Sequence, residues 1–337
     1  MTDSRGVVTP FVKTAEVLCA GEVLESVSPT AKDRVHTSFT CRIKEIGDGT
    51  VIIGQGYMTS GAFWVEVTRN TVSAYSFYSY TNPNRIEILP KTELGFELKD
   101  FLTVSIDKDS KRMGVFTTVT TSTGAKRVNL PKSGDNCGAI MVKACDCELY
   151  SCKLNWLCDG YADDIWIFGD SYLGYGHDAR WPYYAYRDGY QKHYFSGYAG
   201  MNTETGLKDF KLAITRGTPI YALWLLGMNN GDRPEEASPN KVWLESTEEF
   251  LKICKEKGII PVLATIPETP KVCNRYKSAW VKASGYRYID FAHAVGSDEN
   301  PEWYPGMLHT DLVHPASLGA ATLYSQVLID FPEIMKR

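Results

Sequence analysis

The chain has 337 residues, 44% hydrophobic and 23% charged, with a formal net charge of -4 at pH 7. That length exceeds one ordinary domain, and that composition holds apolar material for two cores, which argues against long disordered stretches. The slightly acidic balance gives no general attraction to phosphate backbones or anionic membranes, so the expected partner is a small or neutral molecule rather than nucleic acid or a membrane surface.

Met1-Thr2-Asp3-Ser4-Arg5 opens without an apolar signal-peptide core, and no later run has the length of a membrane span. The chain as it stands reads as cytoplasmic, or as secreted if a signal peptide has been removed. Nine cysteines are present, and Cys145, Cys147, Cys152 and Cys158 lie close together. They lack the paired C-x-x-C spacing of zinc ribbons, so they are expected as reduced, packed thiols, with Cys145 and Cys147 on one face of a strand. No metal or cofactor is expected.

From Val7 to Cys158 the text is β-like. Ser38–Ile43, Trp64–Val67 and Leu102–Ile106 alternate apolar with polar residues, the mark of strands with one wet face. Turn clusters separate such runs at Gly47-Asp48-Gly49, Asn82-Pro83-Asn84, Asp107-Lys108-Asp109-Ser110 and Lys132-Ser133-Gly134-Asp135. Many short strands with regular turns predict an all-β sandwich of jelly-roll or lectin-like shape over residues 1–160. Tyr75, Phe77, Tyr78 and Tyr80 form an aromatic run that would either stack on sugar rings or fill the sandwich core; the second is the expectation, because aromatic residues are enriched in strands.

After Asp159-Gly160 the pattern changes to strands alternating with helices. The strands are predicted at Ile165–Phe168, His193–Phe195, Ile220–Leu226, Ile259–Thr265 and Arg287–Asp290. Helices are predicted at 246–257, where Ser246 and Glu249 would form a capping box and Gly258 the stop, at 272–284, and at 317–328. Alternating β and α elements imply a parallel sheet covered on both faces, hence a three-layer α/β/α domain over residues 161–337.

Chemistry-bearing residues cluster at the ends of those strands. Ser171 follows the turn Gly169-Asp170, at the sheet edge where open α/β folds bind ligands. Gly197 closes the second strand, where a missing side chain lets backbone approach a ligand. Leu226-Gly227-Met228-Asn229-Asn230 ends the third, and an asparagine amide there can donate to a negative oxygen. Asp311-Leu312-Val313-His314 precedes the last helix; Asp and His three apart can pair so that the imidazole's other nitrogen faces a serine hydroxyl. His177, His193, His293 and His309 are given no role.

Taken in this order, Gly169-Asp170-Ser171, Gly197, Gly227-Met228-Asn229 and Asp311-x-x-His314 resemble the four blocks of the SGNH (GDSL-type) hydrolase superfamily over about Asp164 to Arg337. The resemblance implies Ser171 as nucleophile, His314 as general base supported by Asp311, and an oxyanion hole made of the Ser171 N–H, the Gly197 N–H and the Asn229 side chain. Two departures stand out. The third block reads Gly-x-Asn-Asn where the family commonly has Gly-x-Asn-Asp, and the glycine-rich stretch after Ser171 does not read as an immediate helix. A β-sandwich ahead of such a domain resembles bacterial esterases that deacetylate plant polysaccharide fragments, implying an oligosaccharide or other small ester as substrate. A lysophospholipase or acyl-thioesterase would use the same residues, and a sugar-binding protein without activity is the reading outside enzymes. Tyr172, Trp181, Trp303 and Tyr304 are the expected substrate contacts, and self-association is left open.

Overall fold

The computed structural model describes residues 10–27, 34–44, 46–55, 62–77, 86–109, 114–130, 139–174, 180–190, 193–197, 199–296 and 302–335. The described residues fall into two compact units, divided in the chain between Asp159 and Gly160. No described helix is long and apolar enough to cross a membrane.

The first unit is built from antiparallel strands: β1 (Phe11–Leu18), β2 (Val23–Val27), β3 (Val35–Ile43), β4 (Thr50–Gln55), β5 (Ala62–Val67), β6 (Thr71–Phe77), β7 (Ile86–Glu93), β8 (Phe101–Asp109), β9 (Gly114–Thr121), β10 (Gly124–Leu130), β11 (Ala139–Cys145) and β12 (Leu149–Cys158). They form two sheets, ordered β1-β12-β3-β8-β9-β10 and β2-β11-β4-β5-β6-β7. The cause is visible in β3, where Val35, Thr37, Phe39, Cys41 and Ile43 are buried and the residues between them are not. A period of two puts all five on one face. Asp107 and Lys108, expected in a turn, instead continue β8 opposite His36 and Val35, because His36 takes Asp107 as a side-chain partner across the ladder. Cys147 lies beyond the end of β11, so it does not share a strand face with Cys145; its thiol is buried and donates to the Thr50 carbonyl. Of the aromatic run, Tyr75 is half-buried in β6, while Tyr78 and Tyr80 lie outside the described residues.

The second unit contains a parallel sheet with helices between its strands. In chain order these are β13 (Ile165–Gly169), α1 (Ser171–Gly174), α2 (Trp181–Arg187), β14 (His193–Gly197), α3 (Thr203–Ala213), β15 (Tyr221–Leu225), α4 (Lys241–Lys257), β16 (Ile260–Ala264), α5 (Arg275–Ala283), β17 (Tyr288–Ile289), α6 (Phe291–Val295) and α7 (Ser317–Asp330). The sheet order is β14-β13-β15-β16-β17. All five residues of β13 are buried, as a central parallel strand requires. Alternate residues of β13 and of its neighbour β15 serve two clusters. Phe168 meets Phe210 of α3 at 5.3 Å, and Trp224 stacks on Phe250 of α4 at 4.5 Å. Ile165, Ile167, Leu223 and Leu225 pack in the cluster that holds Leu323, Tyr324 and Val327 of α7. Truncating a ring such as Phe250 in a core like this costs about 3–5 kcal/mol.

Helix boundaries differ from the sequence expectation for local reasons. α4 begins five residues earlier than 246, because Asn240 accepts from the N–H groups of Val242 and Trp243 and so is its cap. Ser246 is buried inside the helix, and Glu249 pairs with Lys211 and Lys252 rather than closing a capping box. Gly258, at φ 66°, ends the helix as expected. α5 starts at Arg275 rather than Val272, since Val272 is engaged in a bridge with Thr269. A helical turn, α1, begins directly at Ser171, contrary to the expectation for that stretch.

Candidate active site

The sheet order places its topological switch point at β13 and β15, whose carboxyl ends are where open α/β sheets bind ligands. Gly169, the last residue of β13, pairs in register with Gly197 of β14 and Leu225 of β15. Three of the four sequence blocks therefore start from one level of the sheet. The glycines permit it: a Cβ on Gly169 would come 2.6 Å from Leu173 Cδ1, and one on Gly197 would come 2.7 Å from the Gly169 carbonyl oxygen.

The fourth block comes to the same edge. His314 Nε2 lies 2.9 Å from Ser171 Oγ, and His314 Nδ1 lies 2.8 Å from Asp311 Oδ2. Asp311 Oδ1 accepts from the N–H groups of Val313 and His314, both at 2.9 Å. Burial works to raise the Asp311 carboxyl, but those two N–H groups and the His314 ring outweigh it and hold the carboxyl well below the usual carboxylate range. An ionised carboxylate only accepts, so Nδ1 carries the imidazole proton and Nε2 is left to accept from the Ser171 hydroxyl. Ser171 is 4% exposed and the His314 side chain 19%. Leu312 turns the short loop with φ 62°, a left-handed conformation unusual for leucine that neighbouring contacts must hold in place.

Asn229, exposed at the end of β15, donates from Nδ2 to the Met201 carbonyl at 2.9 Å. An amide nitrogen has two hydrogens, so a second can be offered to a ligand. The departure in the third block has a local meaning: Asn230 Oδ1 accepts from the Thr203 N–H (3.0 Å) and hydroxyl (3.2 Å) at the start of α3. Asn230 thereby ties the segment after β15 to the helix that follows β14.

The expected substrate contacts divide. Trp181 is 1% exposed and Tyr172 8%, so both are packed inside the unit rather than offered to a ligand. Their burial follows from helical turns at α1 and α2 that point these rings into the cluster with Phe195 and Phe291. Trp303 is half-buried, donates from Nε1 to the Glu268 carbonyl at 2.8 Å, and meets the Tyr172 ring edge-on at 6.4 Å. Tyr304 is 46% exposed.

Three contacts around Ser171 and Asp311 escape sequence reasoning. Asp170 is buried and accepts from the Tyr172 N–H at 3.0 Å; burial, opposed by the N–H groups of Tyr172 and Met228, pushes its carboxyl up to about 6. His309 places Nδ1 3.2 Å from Asp311 Oδ2 and accepts there from the Asp311 N–H at 3.3 Å. The Tyr172 hydroxyl donates to the Val313 carbonyl at 2.7 Å. Asp170 flanks Ser171 and could have been suspected from that alone; Tyr172 was expected as a substrate contact, not as a donor to the loop backbone; His309 carries no signal beyond nearness to Asp311.

No protein-family model matches this sequence, and no curated protein matches it. Solved structures of GDSL-type lipolytic proteins are similar to it. A Desulfitobacterium hafniense protein described as a lipolytic protein of the G-D-S-L family is 18% identical, covering 49% of this chain and 98% of its own, with a TM-score of 0.40. The psychrotrophic esterase EstA from a Pseudoalteromonas species is 14% identical over 52% of this chain and 100% of its own, with a TM-score of 0.40. A toad ovary galectin, in complex with thio-digalactose, is 9% identical over 40% of this chain and 99% of its own, with a TM-score of 0.30. At such identities and scores these likenesses carry no part of the chemistry, which stands on the distances above.

Proposed function

We propose that this protein is a serine esterase of the SGNH type that removes short acyl groups, above all acetyl, from carbohydrate. The observation that carries the reading is the unbroken relay from Asp311 through His314 to Ser171, with contacts of 2.8 and 2.9 Å. His314 takes the proton of the Ser171 hydroxyl, and the oxygen attacks the ester carbonyl. The resulting oxyanion accepts from the Ser171 N–H, the Gly197 N–H and the Asn229 amide. Collapse of the intermediate breaks the bond to the sugar oxygen, which receives the proton from His314. Water, deprotonated by the same imidazole, then releases acetate and restores Ser171. Asp311 keeps the imidazole in the productive tautomer and stabilises it when charged.

The choice of substrate is supported by the order of the units, an all-β unit of jelly-roll or lectin-like sandwich type ahead of a three-layer α/β/α hydrolase unit, and by the lack of a long apolar segment that would read as a lipid-binding lid. Acetate release from acetylated xylo-, manno- and gluco-oligosaccharides tests it, beside a Ser171→Ala control. Release by the native chain and none by the control is expected. A preference for p-nitrophenyl octanoate over acetate would shift the reading to a lysophospholipase or thioesterase, and sugar binding without release would end it.

A further inference from the structure

The peptide unit that leads into His314 is held at both ends. Its N–H, from His314, donates to Asp311 Oδ1 at 2.9 Å, and its carbonyl, from Val313, accepts from the Tyr172 hydroxyl at 2.7 Å. Tyr172 is the residue directly after Ser171. A closed circuit results: Ser171 to Tyr172 by covalent bonds, Tyr172 to Val313 by the phenol, Val313 to His314 by covalent bonds, and His314 Nε2 back to Ser171 Oγ at 2.9 Å. The rest of the circuit is anchored on both sides. Asp170 Oδ1 accepts from the Tyr172 N–H at 3.0 Å, and the His314 carbonyl accepts from the His309 N–H at 2.8 Å.

Resting on the reading of Ser171 as nucleophile and His314 as base, we propose that Tyr172 is a positioning residue whose hydroxyl fixes the imidazole of His314 against the Ser171 oxygen, and not a contact for substrate. A ring 8% exposed has little face to give a sugar. Its hydroxyl has one acceptor, on the backbone of the loop that carries the base. The phenol stays protonated, and so remains a donor, because burial and the carboxylates of Asp170 and Asp311 push its ionisation well up. The loop needs such an anchor. Leu312 turns through a left-handed conformation, and without the phenol the peptide that leads into His314 is held only at its N–H, so its plane can tilt about that contact and move the imidazole.

Tyr172→Phe keeps the ring and removes only the donor. Steady-state hydrolysis of p-nitrophenyl acetate by the whole chain should show kcat lower by about 10- to 100-fold with KM unchanged, the pattern of a misplaced catalytic group. The low-field proton resonance of His314 Nδ1–H, identified by its absence in His314→Ala, should shift or broaden. Replacing Tyr172 by 4-aminophenylalanine, which keeps ring and donor, should recover most of the rate, and it serves as the comparison if Tyr172→Phe loses its fold by circular dichroism. Unchanged kcat, a raised KM with kcat intact, or no recovery with the amine would each overturn the proposal. Failure of the functional reading is distinct: native chain and Ser171→Ala would then be equally inactive.

Discussion

Asp232 and Lys277 form an ion pair at 3.1 Å in which neither side chain has any solvent exposure. Lys277 Nζ also donates to the Asn230 carbonyl at 2.6 Å, and the Asp232 carboxylate accepts from the N–H groups of Asn240, Tyr276 and Lys277. The pair thus fastens the segment after Asn229 to the first turns of α4 and α5. Burial pushes the Lys277 ammonium down, and Asp232 pulls it back toward its charged form. Lys277→Met leaves a buried carboxylate unpaired and should cost about 3–5 kcal/mol in urea unfolding. Asp232→Asn combined with Lys277→Met removes both charges yet keeps an amide oxygen to accept from those N–H groups, so it should recover part of that stability while turnover stays depressed, because the Asn230 carbonyl beside Asn229 loses its Lys277 donor. A loss below about 1 kcal/mol for the single change would show the pair is not sealed from water.

Asn229→Ala removes one proposed oxyanion donor and should lower kcat by about 10²–10³-fold with little change in KM. Gly197→Ala tests the neighbouring position differently. Its Cβ would collide with the Gly169 carbonyl, 2.7 Å away, so strand β14 must shift from β13 and turnover should fall even though the N–H is retained. Wild-type turnover in Gly197→Ala would remove that position from the oxyanion hole.

The Asp311 carboxyl is held well below the usual carboxylate range and so stays charged as the acceptor for the His314 Nδ1–H. Asp311→Asn should cost about 10⁴-fold in kcat by favouring the wrong tautomer. Turnover in Asp311→Asn equal to that of the native chain would contradict that role.

In the all-β unit, His36 Nδ1 lies 2.9 Å from Asp107 Oδ1 and Nε2 lies 3.0 Å from Asp159 Oδ2. The hydrogen bond to Asp107, working against the cost of burial and aided by Asp159, pushes the imidazolium up to about 9. A histidine raised in the folded state contributes stability that is full below its unfolded value of about 6.5 and lost as pH rises through the folded one. His36→Gln should therefore lower the melting temperature at about pH 6 and change it little at about pH 10. An equal loss at both values would refute the charged pairing.

The four blocks were legible because each is a run of local chemistry at a strand end, and a buried strand such as Ile165–Phe168 announces itself by composition. What stayed hidden depends on contacts distant in sequence. α3 runs unbroken through Gly206, a residue that looks like a breaker in the sequence; a Cβ there would lie 2.1 Å from Leu226 Cδ1, so the glycine serves close packing. The start of α4 was masked because Ser246 and Glu249 have capping-box spacing, whereas the cap is Asn240, which accepts from the Val242 and Trp243 N–H groups. Tyr172 and Trp181 looked like ligand contacts because they flank Ser171; only the helical turns at α1 and α2 reveal that their rings face inward. Lys277, on an amphipathic helix, reads as a solvated charge until Asp232 is found beside it.

The most direct test of the relay is covalent trapping with a p-nitrophenyl alkylphosphonate. A burst of one p-nitrophenolate per chain is expected, with the adduct mapped by mass spectrometry to Ser171 and the burst abolished in Ser171→Ala and slowed by orders of magnitude in His314→Ala. A burst that survives in Ser171→Ala, or an adduct on any other side chain, would contradict the account.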